Sequence, residues 1–260
     1  MAYKSEDVRI SNTMKILELF RQNKILTSKE IVSMTGLTVP TVSKILSNLQ
    51  MNLVIKSTKQ KIVTGGRKAK GFKLNNDTHY VLAIHVGVRN LYAAVVNLSG
   101  QMIKYFDYSD YFSKEDNNNF VQKVHEIINK ILKKSELASL KDSIKGIGIS
   151  FPGVLDKEKN IHLAFNIHGE DLSFSQDLWK ETGLPVYIEN DSRLGALAEV
   201  WWAKKSLSTI VFLMADYGVG AGMVTNGKIH HGVNNGAGNI GHAVLDPNGE
   251  RCTCGQFGCL

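Results

Sequence analysis

At 260 residues the chain is long enough for two domains and a sizeable core, and its 43% hydrophobic and 21% charged content is that of a soluble globular protein, which excludes a disordered polypeptide. The net charge of +7 hides an asymmetry: residues 1–75 hold 14 Lys and Arg against 4 Asp and Glu, a balance of +10, whereas residues 76–260 hold 17 against 20, a balance of −3. A compact basic module on a mildly acidic body is the charge pattern of a nucleic-acid reader carrying a separate sensor, the bland alternative being a solvated charged face. The longest apolar runs, such as those over 81–84 and 210–215, are strand-length and fall well short of the roughly 20 residues that span a bilayer. The first seven residues carry no hydrophobic signal region, so no membrane partner and a cytoplasmic location are expected.

Residues 11–24 place Met14, Leu17 and Phe20 at helical spacing with Ile10 and Ile16 beside them, which predicts a first amphipathic helix. Thr27-Ser-Lys-Glu30 is a capping-box pattern that starts a second helix, with Ile31 and Met34 directed inward and a stop at Gly36. Leu37-Thr38-Val-Pro40 then supplies a turn, an N-cap and a proline tolerated in a first helical turn. In the third helix Val42, Ile45, Leu46 and Leu49 form the buried face, leaving Thr41, Lys44 and Asn48 outside. Helix, glycine-bearing turn and polar-faced helix read as a helix-turn-helix whose second member enters a DNA major groove, with Thr38, Thr41, Ser43, Lys44 and Asn48 as candidate contacts.

Residues 53–74 then read as two strands joined by a mobile basic loop, a wing in which Gly65 and Gly66 permit close backbone approach and Arg67 and Lys68 meet a minor groove or phosphates. A winged helix used only for protein contacts is the competing reading. The expected domain organisation is a winged helix-turn-helix over 1–75, a linker over 76–79 and a second domain over 80–260.

The second domain opens with three strand-like segments, 81–87, 91–98 and 101–106, followed by an amphipathic helix from Phe120 to Lys134 and a buried strand from Ile144 to Ser150. At the other end, His242, Cys252, Cys254 and Cys259 form a His-x9-Cys-x-Cys-x4-Cys array that holds every cysteine of the protein. Thiolate sulfur and imidazole nitrogen in a closed set of four suit tetrahedral Zn²⁺, a structural metal with no open coordination position. An odd number of cysteines within eight residues suits no disulfide framework. Gly255 and Gly258 allow the tight turns the array needs.

This array, preceded by Gly236-Ala-Gly-Asn-Ile-Gly241-His242, resembles the signature of the ROK family, repressors and sugar kinases that share one sugar-binding fold, and the likeness extends backward over almost the whole sequence. Leu-Thr-Val-Pro-Thr-Val-Ser-Lys over 37–44 and Gly-Gly-Arg-Lys over 65–68 are also similar to the DNA-binding segment of ROK repressors. The resemblance implies an α/β fold: an actin-like, ribonuclease-H-like sugar-binding domain after the winged helix-turn-helix. It also implies a second lobe that is incomplete at its C-terminal end, with the metal site frayed or empty there.

The same resemblance assigns a sugar-binding cleft to Gly153, in a proline-glycine loop where a backbone amide faces a hydroxyl, and to Asn190, Asp191, Asn239 and His242. Asp191 also matches the position of the kinase general base, and its competing role is to cap the following helix. His242 is expected to serve metal and sugar through its two nitrogens. Asn239 stands where many family members have a glutamate, and Asn166 resembles a cleft-loop asparagine with a turn cap as its alternative. The kinase phosphate segments are altered. His85 replaces the acidic residue that organises Mg²⁺, Arg89 a threonine slot and Tyr217 another, while the glycines at 218, 220 and 222 are kept.

The implied function is a sugar-responsive repressor of carbohydrate uptake or catabolism genes, without catalytic residues, binding a double-stranded DNA operator as a homodimer or higher homo-oligomer. Its alternative is an ATP-dependent ROK sugar kinase with an accessory DNA-binding module. Inducer and corepressor roles for the sugar are equally open.

Overall fold

The structure is a computed structural model that describes residues 5–64, 67–111, 120–155, 161–163, 174–203 and 207–260. Gly65, Gly66 and Asn166 lie outside the described residues. The protein divides into two units, residues 1–80 with 96–103, and residues 81–95 with 104–260.

The first unit builds three helices and a small sheet. Helix α1 spans Ser5–Gln22, α2 Ser28–Thr35 and α3 Val39–Met51, and strands β1 (Leu26–Thr27), β2 (Ile55–Thr64) and β3 (Arg67–Leu74) pair in the order β1-β3-β2. Each boundary has a local cause. The Thr27 backbone N–H donates to Glu30 Oε2 at 2.7 Å while Thr27 Oγ1 accepts from the Glu30 amide at 3.3 Å, so the capping box forms as expected. Gly36, at φ 70, ends α2 in the left-handed conformation that a side chain disfavours. Thr38 caps α3, with Pro40 in its first turn.

Ile16, Phe20, Leu26, Ile31, Val42, Ile45, Leu46, Leu49, Ile55 and Phe72 form one apolar core. Two inward assignments are corrected: Met14 and Met34 are exposed, as is Ile10. In α1 the buried stripe runs through Ile16 and Phe20, four residues apart, and α1 begins at Ser5 instead of residue 11. The two strands expected over 53–74 form, as β2 and β3. Arg67 and Lys68 pair with Thr64 and Val63 within β3, so they belong to a strand and not to a basic loop.

In the second unit and the strands leading into it, β4 (Tyr80–Val86), β5 (Leu91–Asn97), β6 (Met102–Asp107), helix α4 (Phe120–Leu132) and β7 (Ile144–Phe151) follow in the expected order. After them come a short pair β8 (Val154–Leu155) and β9 (Ile161–Leu163), helix α5 (Phe174–Thr182), β10 (Val186–Asn190), helix α6 (Asp191–Trp202), β11 (Thr209–Ala215), β12 (Val219–Thr225) and β13 (Lys228–Ile229). The main sheet has the order β10-β7-β4-β5-β6, with β10 parallel to β7. Val124, Ile127, Ile128 and Ile131 of α4 are buried, and so are Leu82, Ile84, Ile147 and Ile149 of β4 and β7.

A second sheet, β11-β12-β13, is antiparallel, and α6 lies against it. Gly222 makes that approach possible: a Cβ there would run into the Ser192 carbonyl. Gly222→Ala is expected to destabilise the protein by about 1–3 kcal/mol through overpacking, because both partners are backbone. A lowered urea midpoint with an unchanged m-value checks this. Among the described residues no helix is long and apolar enough to cross a membrane.

Candidate functional site

One cavity of about 430 Å³ is lined by Gly153, Asn190, Asp191, Asn239 and His242, together with His85, Asp216, Tyr217 and Cys252. That volume is in the range of small-molecule sites, about 300–1,000 Å³. All five residues assigned to sugar by resemblance therefore line a single opening, although Gly153 and His242 stand far apart in the sequence. The topology explains the convergence. The parallel strands β7 and β10 end side by side, so the turn after β7 brings Pro152 and Gly153 next to the β10–α6 junction at Asn190 and Asp191.

Asn190 is the N-cap of α6: its Oδ1 accepts the Arg193 amide at 3.2 Å, and its Nδ2 donates to the Gly153 carbonyl at 3.1 Å. The cap is thus Asn190 and not Asp191. In the proline-glycine loop the Gly153 N–H donates to the Phe151 carbonyl at 3.1 Å. Asn190 and Gly153 thus hold each other in the cavity lining. Asp191 accepts from the Ser192 amide at 2.6 Å and from its hydroxyl at 3.2 Å. Burial pushes the Asp191 carboxyl above the usual carboxylate value, against the opposing effects of the Ser192 bonds and of His85.

His85 holds Ser150 Oγ through Nδ1 at 3.2 Å and stacks on Tyr92 with ring centroids 6.0 Å apart. Its pKa is lowered, first by burial, with the charges of Asp191 and Asp216 opposing. Burial thus favours the uncharged form of this imidazole. The Arg89 guanidinium lies over the Tyr217 ring, 4.5 Å from its centroid, so the two altered threonine slots meet in a cation–π contact.

His242, Cys252, Cys254 and Cys259 present ligand atoms that all lie within 4.8 Å of one another. Cys252 Sγ is 3.6 Å from His242 Nδ1, and Cys254 Sγ is 3.6 Å from Cys259 Sγ. A tetrahedral metal with metal–sulfur bonds of about 2.3 Å has sulfur–sulfur edges of about 3.8 Å, so this donor set fits a metal ion. The array is assembled here and not frayed. Backbone hydrogen bonds shape it: Leu245 and Asp246 both donate to the Gly258 carbonyl, and the Cys252 amide donates to the Gln256 carbonyl. Gly258, at φ 68, sits so close to the Asp246 carbonyl that no Cβ fits. The Cys252 thiol is lowered to about 6, chiefly by the Cys254 backbone N–H, and the Cys259 thiol is pushed up to about 12, chiefly by burial.

On α3, Ser43, Lys44 and Asn48 are exposed. Thr38 and Thr41 engage each other, with their hydroxyl oxygens 2.9 Å apart, and so complete the helix cap. The side chains of Arg67 and Lys68 lie outside the described ones.

Sequence reasoning missed a buried polar cluster beside the cavity. Arg193, 2% exposed, donates to Glu189 Oε1 at 3.3 Å and to the carbonyls of Asn235 and Ala237, while Glu189 Oε2 meets His231 Nε2 at 2.9 Å. The Glu189/Arg193 spacing of four at a helix start was the legible signal; the partners beyond it were not.

The ROK family profile matches residues 81–260. The chain is 28% identical over 253 residues to the xylose repressor of Caldicellulosiruptor bescii, a match that covers 96% of this chain and 62% of that protein. It is 40% identical over 123 residues to the glucokinase of Halalkalibacterium halodurans, covering 46% of this chain and 37% of that one. In fold it is similar to a crystal structure of a ROK family transcriptional regulator described as a homolog of E. coli Mlc, with a TM-score of 0.80, 24% identity, and coverage of 97% of this chain and 63% of that one. The chain thus spans less than two thirds of the length of the repressors it matches. With the cavity, the clustered His242 and three cysteines and an actin-like α/β architecture in place, the match over 81–260 establishes that this protein belongs to the ROK family.

Proposed function

We propose that the protein is a sugar-responsive transcriptional repressor of carbohydrate uptake or catabolism genes. One observation carries the reading: a basic three-helix and hairpin module, with exposed Ser43, Lys44 and Asn48 on its third helix, is joined in sequence to a ROK body whose cavity is lined by Asn190, Asp191 and His242. In this reading residues 1–75 are a winged helix-turn-helix that binds a double-stranded DNA operator, 76–79 a linker and 80–260 the sugar-binding domain. α3 enters the major groove, and the β2–β3 hairpin places Arg67 and Lys68 at phosphates or the minor groove. Paired half-sites call for a homodimer or a higher homo-oligomer.

Within the cleft, the Asp191 carboxylate accepts from sugar hydroxyls, and Asn239 and His242 line the same cavity. The metal is zinc, held by His242, Cys252, Cys254 and Cys259, and it supplies a structural cross-link at that wall. Sugar binding changes operator affinity by preferring one arrangement of the two lobes, with a coupling of about 1–3 kcal/mol.

The alanine double variant Arg67→Ala with Lys68→Ala is expected to weaken operator binding by about 1–3 kcal/mol, as for loss of a base-reading contact. Mobility shifts at physiological salt read this out, and an unchanged affinity removes the hairpin from the DNA interface. The glucokinase similarity keeps a kinase reading in view. His85 stands against it, since an imidazole replaces the carboxylate oxygen that would organise Mg²⁺, and Arg89 and Tyr217 replace the hydroxyls of the two threonine slots. An ATP-dependent sugar phosphorylation assay separates the two: turnover establishes the kinase.

A further inference from the structure

We propose that Arg193 and Asn235 are positioning residues that clamp the segment 231–237 and thereby set Asn239 and His242 against the cleft; their link to a sugar rests on the function proposed above. Arg193 is the third residue of α6, two beyond Asp191, and it is buried. Its guanidinium reaches three acceptors at once: Glu189 Oε1 and the carbonyls of Asn235 and Ala237. Glu189 in turn holds His231 at 2.9 Å, and the Ala237 amide donates to the His231 carbonyl at 3.1 Å, which closes the segment on itself.

Asn235 supplies the far anchor. It is 7% exposed, at φ 55, and its Nδ2 donates to the Leu155 carbonyl at 3.1 Å. Immediately downstream the Gly238 carbonyl accepts from the Ala221 amide at 2.8 Å, and a 3₁₀ turn over Ile240–His242 follows. Asn239 and His242 thus leave the clamp by a path with little freedom.

An arginine is needed because its planar fork presents several N–H donors in fixed directions, whereas a lysine is a compact point charge that cannot serve a carboxylate and two carbonyls in this geometry. A buried Arg–Glu pair adds little stability over well-packed apolar groups, so its role here lies in the one arrangement it specifies. Asn at φ 55 is tolerated where its side chain hydrogen-bonds, and glycine adopts the same conformation freely.

The test compares wild type, Arg193→Lys and Asn235→Gly in the full chain, by amide hydrogen exchange without sugar and by titration with a panel of neutral monosaccharides. Both variants are expected to accelerate exchange at Ala221, Ala237, Ile240 and His242 at least about tenfold, consistent with local opening, while the amides of β4, β7 and α4 are unchanged. Monosaccharide affinity falls at least about tenfold, sugar-free operator affinity stays within about twofold and zinc stays at one per molecule.

Should Arg193→Lys fail to fold, Asn235→Gly carries the comparison, since it removes one side-chain bond without straining the backbone. Unchanged exchange over 231–242 overturns the clamp, and so does a uniform acceleration across 81–260, which marks global destabilisation only. A wild type that binds no monosaccharide overturns the sugar reading, and the exchange result alone then decides the clamp.

Discussion

Asp191→Ala is expected to abolish the sugar response while leaving operator binding in the sugar-free state intact. Hydrogen bonds to a charged group contribute about 1.5–3 kcal/mol each, so each bond lost from the Asp191 carboxylate lowers sugar affinity by at least about tenfold. The carboxylate lines the cavity, and the exposed α3 residues belong to the other unit, so the two functions separate. Titration calorimetry and mobility shifts with the same preparation read both. Retained binding heat in the variant places the sugar elsewhere.

Asp191→Asn carries a further, opposite expectation for stability. Burial raises the folded-state pKa of Asp191 above its ordinary value of 3.8, so the folded state holds the proton more tightly than the unfolded polypeptide does. The wild type is therefore most favoured, relative to the amide, below about 3.8, and loses that favour as pH rises through the raised folded value. At neutral pH Asp191→Asn should melt at a higher temperature than wild type, with the gap closing as pH falls toward 3.8. A lower melting temperature at neutral pH contradicts the burial assigned to this carboxylate.

Loss of the metal is the second large effect. Structural zinc contributes apparent binding free energies of about 10–16 kcal/mol in small domains, and that energy drives local folding. Cys259→Ser, or chelation, is expected to bring zinc from one equivalent per molecule to near none and to disorder the cavity wall formed by Cys252 and His242. Sugar affinity then falls with it. Elemental analysis and titration on the same sample check both statements, and a metal-free protein with unaltered sugar affinity removes the link between array and cleft.

Much of the first unit can be read from local chemistry. A threonine three residues before a glutamate forms a capping box whatever surrounds it, a glycine after the helix takes the left-handed turn, and Val42, Ile45, Leu46 and Leu49 repeat with the helical period. The inward placement of Met14 and Met34 fails because a helix with apolar residues on several sides does not say which side meets its neighbours; the packing of α2 and α3 selects Ile16 and Phe20. Basic composition suggests a loop at Arg67 and Lys68, but strand pairing depends on register, which only the partner strand supplies.

For the site, residue type and spacing are enough to name the candidate donors: four residues with the softness and spacing of a metal set, and an adjacent amide and carboxylate at a helix start. Residue type and short spacing suffice there, because the His and Cys ligands cluster near one end and Asn190 and Asp191 are consecutive. Only the packed fold brings Gly153, Asp191 and His242 to one cavity, ties Asn190 to Gly153 as well as to its own helix, and lets Arg193 reach the carbonyls of Asn235 and Ala237. Those contacts join segments distant in the sequence, and no periodicity or local propensity encodes a partner that only the crossing of strands and helices brings near.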